Sequence, residues 1–240
     1  MTSREDRKEL EKKLMEQIKK LQTTCGSTIC IRPETAQDYE TVEQLTRAAF
    51  YNLYMPGCSE HYLVRNLRSH PDFIPELDLV LELDGRIIGS IMYTKATLTD
   101  EAGAKKKILT FGPLCIAPEF QRQGYGKLLL EDSFERAVAL CYDVIVIFGV
   151  PANYVSRGFQ SCKKWNISIP DGRYPAAMMV KELMEGALSS AHKHWIYRQS
   201  SALDISEEAA LAYDDTLKPM ERRWQPSQEE FYILSNSFLS

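Results

Sequence analysis

No apolar run in this 240-residue chain approaches the roughly 20 residues needed to cross a bilayer; the stretch from Val144 to Val150 is typical. The first residues, MTSREDRKELEKK, are charged where a secretion signal would need an apolar stretch, so a cytoplasmic location is expected. None of the six cysteines (25, 30, 58, 115, 141, 162) forms a C-x-x-C pair, so reduced core thiols are expected rather than a metal site. His192 and His194 would share one face of a strand, either as a two-histidine site or simply as two polar residues. Neither G-x-G-x-x-G nor G-K-[ST] occurs, which removes the dinucleotide and triphosphate fingerprints. Excess charge is absent too. With 29 basic and 33 acidic residues the net is −4, which gives no general pull toward nucleic acid or anionic membrane. Repeats and low-complexity tracts are also missing.

What is present is a core-forming composition, 44% hydrophobic, with alternating strand and helix patterns. Residues 1–22 read as a polar helix with a stripe of Leu10, Leu14, Ile18 and Leu21 and a capping box at Thr2 and Glu5. That stripe would dock on its own domain or on a second copy of the chain, so a homodimer is one expectation. TICIR is a strand, and Ala36 to Phe50 and Ser59 to the residue before Pro71 are helical. Asp84-Gly85 joins LDLVLEL to RIIGSIMYTKA as a hairpin, with Gly89 a candidate bulge. ILTFGPLCIA is a further strand, residues 124–140 a helix, and DVIVIFGV a strand apolar on both faces. Strands near 176–183 and 192–199, a helix near 207–213 and a last helix capped by Ser227 and Glu230 follow. The order gives a mixed α/β sandwich with helices on both sheet faces.

The informative stretch is GPLCIAPEFQRQGYGKLLL, residues 112–130. A strand ends at a proline, a loop carries glycines 124 and 126, and a helix begins. The first turn of a helix offers unpaired N–H groups and the positive end of a dipole, and glycines let a phosphate come close. Arg122 and Lys127 could add charge.

The arrangement resembles the GNAT acetyltransferase superfamily, whose hallmark is [Q/R]-x-x-G-x-[G/A] between the fourth strand and the following helix. Gln121, Gly124 and Gly126 stand at those positions. Tyr154-Val155-Ser156-Arg157-Gly158-Phe159 is similar to the family's Y-x-x-x-G-F pattern. The stretches around Cys58-Ser59-Glu60-His61, residues 73–96, GPLCIAPEFQRQGYG and FGVPANYVSRGF resemble most closely the predicted bacterial N-acetyltransferases.

The resemblance implies an α/β (α+β) fold: a mixed, mostly antiparallel central sheet whose fourth and fifth strands splay apart. It implies acetyl-CoA as co-substrate, held by Leu114, Cys115, Ile116, Gln121, Arg122, Gln123, Gly124, Tyr125, Gly126 and Lys127. Gly112-Pro113 would supply the bulge that parts the strands. Tyr154 is the implied general acid for the departing thiolate, and Glu60 or His61 the base, although both could equally serve as a cap or surface pair. Tyr54, Tyr93 and Lys95 could line the acceptor cleft or be ordinary sheet residues. Asn153 sits on a segment too short for the family's usual helix. A covalent acyl-Cys115 competes with Cys115 as a small buried residue. The expected division is a helix over 1–24, the transferase domain over 25–185 and a C-terminal extension over 186–240. The expected activity is direct acetyl transfer to a small-molecule or peptide primary amine, the alternative a non-catalytic acyl-CoA sensor or scaffold.

Overall fold

The computed structural model describes residues 19–22, 26–188 and 193–240. In chain order the elements are β1 (Lys19–Gln22), β2 (Thr28–Pro33), α1 (Tyr39–Phe50), α2 (Glu60–Leu67), β3 (Leu79–Leu83), β4 (Arg86–Asp100), β5 (Lys105–Ile116), α3 (Tyr125–Ala139) and β6 (Val144–Phe148). They continue with α4 (Pro151–Tyr154), β7 (Gln160–Ser161), β8 (Ile167–Ser168), β9 (Met178–Glu182), β10 (Trp195–Arg198), α5 (Glu207–Asp214) and α6 (Pro226–Ser235).

The described strands form one sheet in the order β1-β2-β3-β4-β5-β6-β9-β7, with β10 on β4 and β8 on β10. Pairing is antiparallel except for β5 with β6 and β10 with β8. Asp84 and Gly85 both take positive φ (51° and 81°), which a two-residue turn between twisted strands requires. The β3/β4 register slips one residue beside Gly89, as its glycine suggested. β4 is 15 residues long and outruns β3. On the edge away from β5, its last four residues, Thr97 to Asp100, are paired by β10 from the C-terminal segment.

The alternation of side chains gives two apolar layers. Leu79, Leu81, Ile91, Leu109, Ile145 and Ile147 face α3, meeting Leu129, Leu130 and Ala137. On the other face Val80 and Met92 meet Val42 of α1 with Val64 and Leu67 of α2. Further along, Leu98, Ile108, Val144, Val146 and Val180 pack with Trp195 and Tyr197. Helices thus cover both faces. No described helix is long and apolar enough to span a membrane.

Two expectations need correction. Lys19–Gln22 is not the end of a helix: it pairs antiparallel with Thr28–Ile31. β2 has one edge on β3, and its other edge would leave backbone donors and acceptors without a ladder, a demand that outweighs the helical propensity of four residues. Leu10, Leu14 and Ile18 lie outside the described residues. Ser227 does not cap α6 either. Pro226 opens that helix with Gln225 before it, and Ser227 Oγ donates to the Leu53 carbonyl instead.

Candidate active site

With the extra strand β1, the strands expected to part are β5 and β6. Among the described residues they share one paired rung, Leu109 with Ile145. Beyond it β5 runs on to Ile116 and leaves β6 behind. On its other side β5 stays paired with β4, Ile91 to Leu114 and Tyr93 to Phe111, so Gly112 and Pro113 together oppose Met92 alone. Two residues against one is a β-bulge, and it increases local twist where the strands diverge. Ala117 N–H donates to Ile88 O across β4 at 2.8 Å. By alternation the Cys115 amide also faces β4, and the amides of Leu114 and Ile116 face the gap. The structure therefore brings Leu114 and Ile116 to the opening, but not the Cys115 amide. The Cys115 side chain is buried, its sulfur 3.6 Å from Thr46 Oγ1, and burial pushes its pKa up to about 11. That thiol is a packed core group.

After β5 the chain turns through Gln121–Gly126. Arg122 and Gly124 adopt left-handed backbone, φ 61° and 92°. The helical ladder opens with Lys127 N–H to Gly124 O at 3.0 Å, so the amides of Gln123, Gly124, Tyr125 and Gly126 precede it. Gln121 Nε2 donates to Ile116 O and Gln123 Nε2 to Glu119 O, each at 3.0 Å. Gln121 thus ties the loop to the end of β5, and Gln123 ties it to the turn that follows. Arg122 has no hydrogen bond or ion pair among the described residues, and Lys127 lies 3.6 Å from Glu131 on the exposed surface. A Cβ at Gly124 would meet nothing within 4 Å, and one at Gly126 only Ile116 Cγ1 at 3.7 Å. The space above the amides is open, as a diphosphate would need.

Tyr154 ends α4, one turn after β6. Its ring packs on Phe111 and Phe159 with centroids 5.8 and 5.7 Å away. Gly149 permits this placement, because a Cβ there would sit 2.5 Å from Tyr154 Cε2. The hydroxyl has no partner among the described residues. Burial, with a smaller effect from Tyr54, raises its pKa well above the ordinary phenol value, so it stays protonated at neutral pH. Asn153 is exposed.

Glu60 and His61 begin α2 and point differently. The Glu60 carboxylate accepts the Ser59 amide at 3.1 Å, and no cation pairs with it among the described residues. Desolvation raises its pKa despite backbone hydrogen bonds. Its charge raises the pKa of Tyr54, after burial, and Tyr54 in turn raises that of Tyr154. Glu60, Tyr54 and Tyr154 thus form one electrostatic group. His61 is fully buried away from it. Its Nδ1 lies 3.3 Å from Cys58 Sγ, its Nε2 3.4 Å from Asp214, and its ring stacks on Tyr213. Burial lowers its pKa, with Asp214 opposing. Tyr93 is sealed in the core against Ser133, and Lys95 Nζ bonds the Pro71 carbonyl at 2.7 Å; neither lines this cleft. Before β10, His194 bonds Ser168 Oγ, and His192 lies outside the described residues.

Sequence reasoning missed two contributors. Gly149 carried no signal, because its need arises from a ring that folds back over it. Phe231 of α6 lies 4.5 Å, centroid to centroid, from Tyr54. Its one visible sign was the unperiodic apolar run FYIL, which leaves Phe231, Tyr232 and Ile233 exposed.

Parted strands, a loop of amides at a helix start and a half-buried phenol are parts that a coenzyme-dependent acyl-transfer site would need. Comparison with known proteins agrees. Residues 44–161 match the Acetyltransferase (GNAT) family. An uncharacterized N-acetyltransferase of Escherichia coli (strain K12), YjhQ, is 27% identical over 120 residues, 50% of this chain and 62% of that relative's own length. The GNAT family N-acetyltransferase YhbS of Escherichia coli, solved in complex with CoA, superposes with a TM-score of 0.60 at 21% identity, covering 79% of this chain and 94% of its own. A GNAT family acetyltransferase of Brucella melitensis, solved with acetyl-CoA, gives 0.58 at 22%, covering 73% and 98%. At that identity the two structures establish the shared fold.

Proposed function

We propose that this chain is an N-acetyltransferase that moves acetyl from acetyl-CoA to a primary amine by direct transfer. The observation that carries the reading is the gap between β5 and β6, lined by the Leu114 and Ile116 amides and flanked by the Gly124 loop and the Tyr154 hydroxyl. The YhbS and Brucella structures, solved with CoA and acetyl-CoA, lend support.

Acetyl-CoA supplies a thioester that the amine attacks, forming the amide and releasing the coenzyme thiol. The amides of Gln123–Gly126, with Arg122 and Lys127, grip the diphosphate. The Leu114 and Ile116 amides hold the pantetheine and polarise the acetyl oxygen, a contribution of about 3 kcal/mol for one well-placed donor. Tyr154 gives its proton to the leaving sulfur. Glu60 receives the amine proton, directly or through water, and its raised pKa suits that task. His61, sealed beneath α5, instead supports the packing. Cys115 takes no acyl group, because its burial keeps it a thiol.

On this reading residues 25–185 form the catalytic domain, 186–240 brace it, and the enzyme works in the cytoplasm on a small-molecule or peptide amine. Thiol release from acetyl-CoA across an amine panel tests it. Amine-dependent release supports the transfer. Tight coenzyme binding with no release for any amine would replace it with a sensor.

A further inference from the structure

We propose that the acceptor is a small arylalkylamine, its ammonium at Glu60 and its ring against Tyr54 and Phe231 beneath α6; this rests on the acetyl-transfer reading. Three observations converge on it.

The first is a strap. The start of α6 is tied to the loop that leads into Glu60: Ser227 Oγ donates to Leu53 O at 2.8 Å and Gln228 Nε2 to Asn52 O at 2.9 Å. Its far end is tied to the segment before β9. Ala176 N–H donates to Ser237 O at 2.9 Å and Leu239 N–H to Tyr174 O at 2.8 Å. Phe238 lies under the Arg173 guanidinium at 4.0 Å. That segment adjoins the turn that carries Tyr154, since Gly149 N–H donates to Ala177 O at 3.0 Å. The last helix therefore runs from the Glu60 side to the Tyr154 side. An extended peptide crossing this line would have to displace the helix, which favours a small acceptor.

The second is the lining. Tyr54 touches Phe231 at 4.5 Å and Phe50 at 5.9 Å, while Tyr154 rests on Phe111. Ring faces attract both an aryl group and an ammonium. The third is charge. Glu60 is a desolvated carboxylate lacking a cation among the described residues, and such a group gains most from a bound one. The nearby guanidinia of Arg47 and Arg222 are committed to Asp214.

The test is steady-state kinetics of the full chain with acetyl-CoA and phenethylamine, phenylalanine, spermidine or a lysine peptide. Phenethylamine is expected to lead by at least about tenfold in kcat/KM. Phe231→Ala is expected to raise its KM about tenfold, the scale of a lost ring contact, and to move kcat far less. Phe231→Tyr should restore KM, which separates a ring contact from damage to α6, and melting temperatures of both variants check the fold. Spermidine or peptide as best substrate, with KM indifferent to Phe231→Ala, would overturn the acceptor class and leave acetyl transfer standing. Absence of turnover with every amine, despite coenzyme binding by calorimetry, would overturn both.

Discussion

Glu60 and His61 are neighbours in sequence with opposite fates. Successive residues on a helix point about 100° apart, so one faces the cleft and the other faces α5. Sequence could nominate the pair but not choose between them, because the choice depends on where the C-terminal segment packs. Glu60→Gln should lower kcat/KM about a hundredfold. On the proposed mechanism Glu60 must be ionised to act, so activity should rise with pH through a midpoint above the usual carboxylate value of 4.5, because burial raises this group. A pH profile of kcat/KM checks both, and the midpoint should vanish in Glu60→Gln. Tyr154 was nominated by its spacing to Gly158-Phe159, and its ring packs on Phe111 and Phe159. Tyr154→Phe should cost about a hundredfold or more in kcat with coenzyme affinity preserved, read by calorimetry beside turnover.

At the scale of elements, the loop and bulge were readable because glycine and proline leave a mark in sequence. The bulge opposite Met92 stands where Gly112-Pro113 placed it, and α3 begins where Gly124 foretold. β1 was not readable. Four residues carry too little pattern to reveal that an unpaired edge of β2 needs them. Gly124→Ala should strain a left-handed position by about 1 kcal/mol and raise the KM for acetyl-CoA severalfold, since open space surrounds the site and only backbone shape changes. Acetyl-CoA titrations of the variant decide it.

For the whole molecule, the C-terminal segment is joined to the transferase domain by a buried charge cluster. Arg47 Nε meets Asp214 Oδ1 at 2.7 Å, and Arg222 reaches the other oxygen at 2.7 Å. Nothing in the sequence links positions 47 and 214, because such a pair is set only by tertiary packing. Asp214→Ala would leave Arg47 buried without its partner and should destabilise by about 3–5 kcal/mol, seen as a lower denaturant midpoint. Burial pushes the Asp214 pKa up, but the two guanidinia outweigh it and the net shift is downward. A carboxylate with a depressed folded pKa stabilises above its unfolded value, here 3.8, and the benefit fades as pH falls through the folded one. The chain should thus lose this tie under acid, and Asp214→Ala should flatten that part of the stability profile.

The lone rung between Leu109 and Ile145 also has a mechanical meaning. The strands from β1 to β5 and the β6–β9–β7 group meet there along a seam with little ladder of its own. A molecule seated in the seam would act as mortar. Ligand at a hundred times its dissociation constant adds about 2.7 kcal/mol to any fold that alone can bind it. Amide exchange along β6 should slow when acetyl-CoA is present, so that the crevice serving chemistry would double as the joint its own substrate tightens.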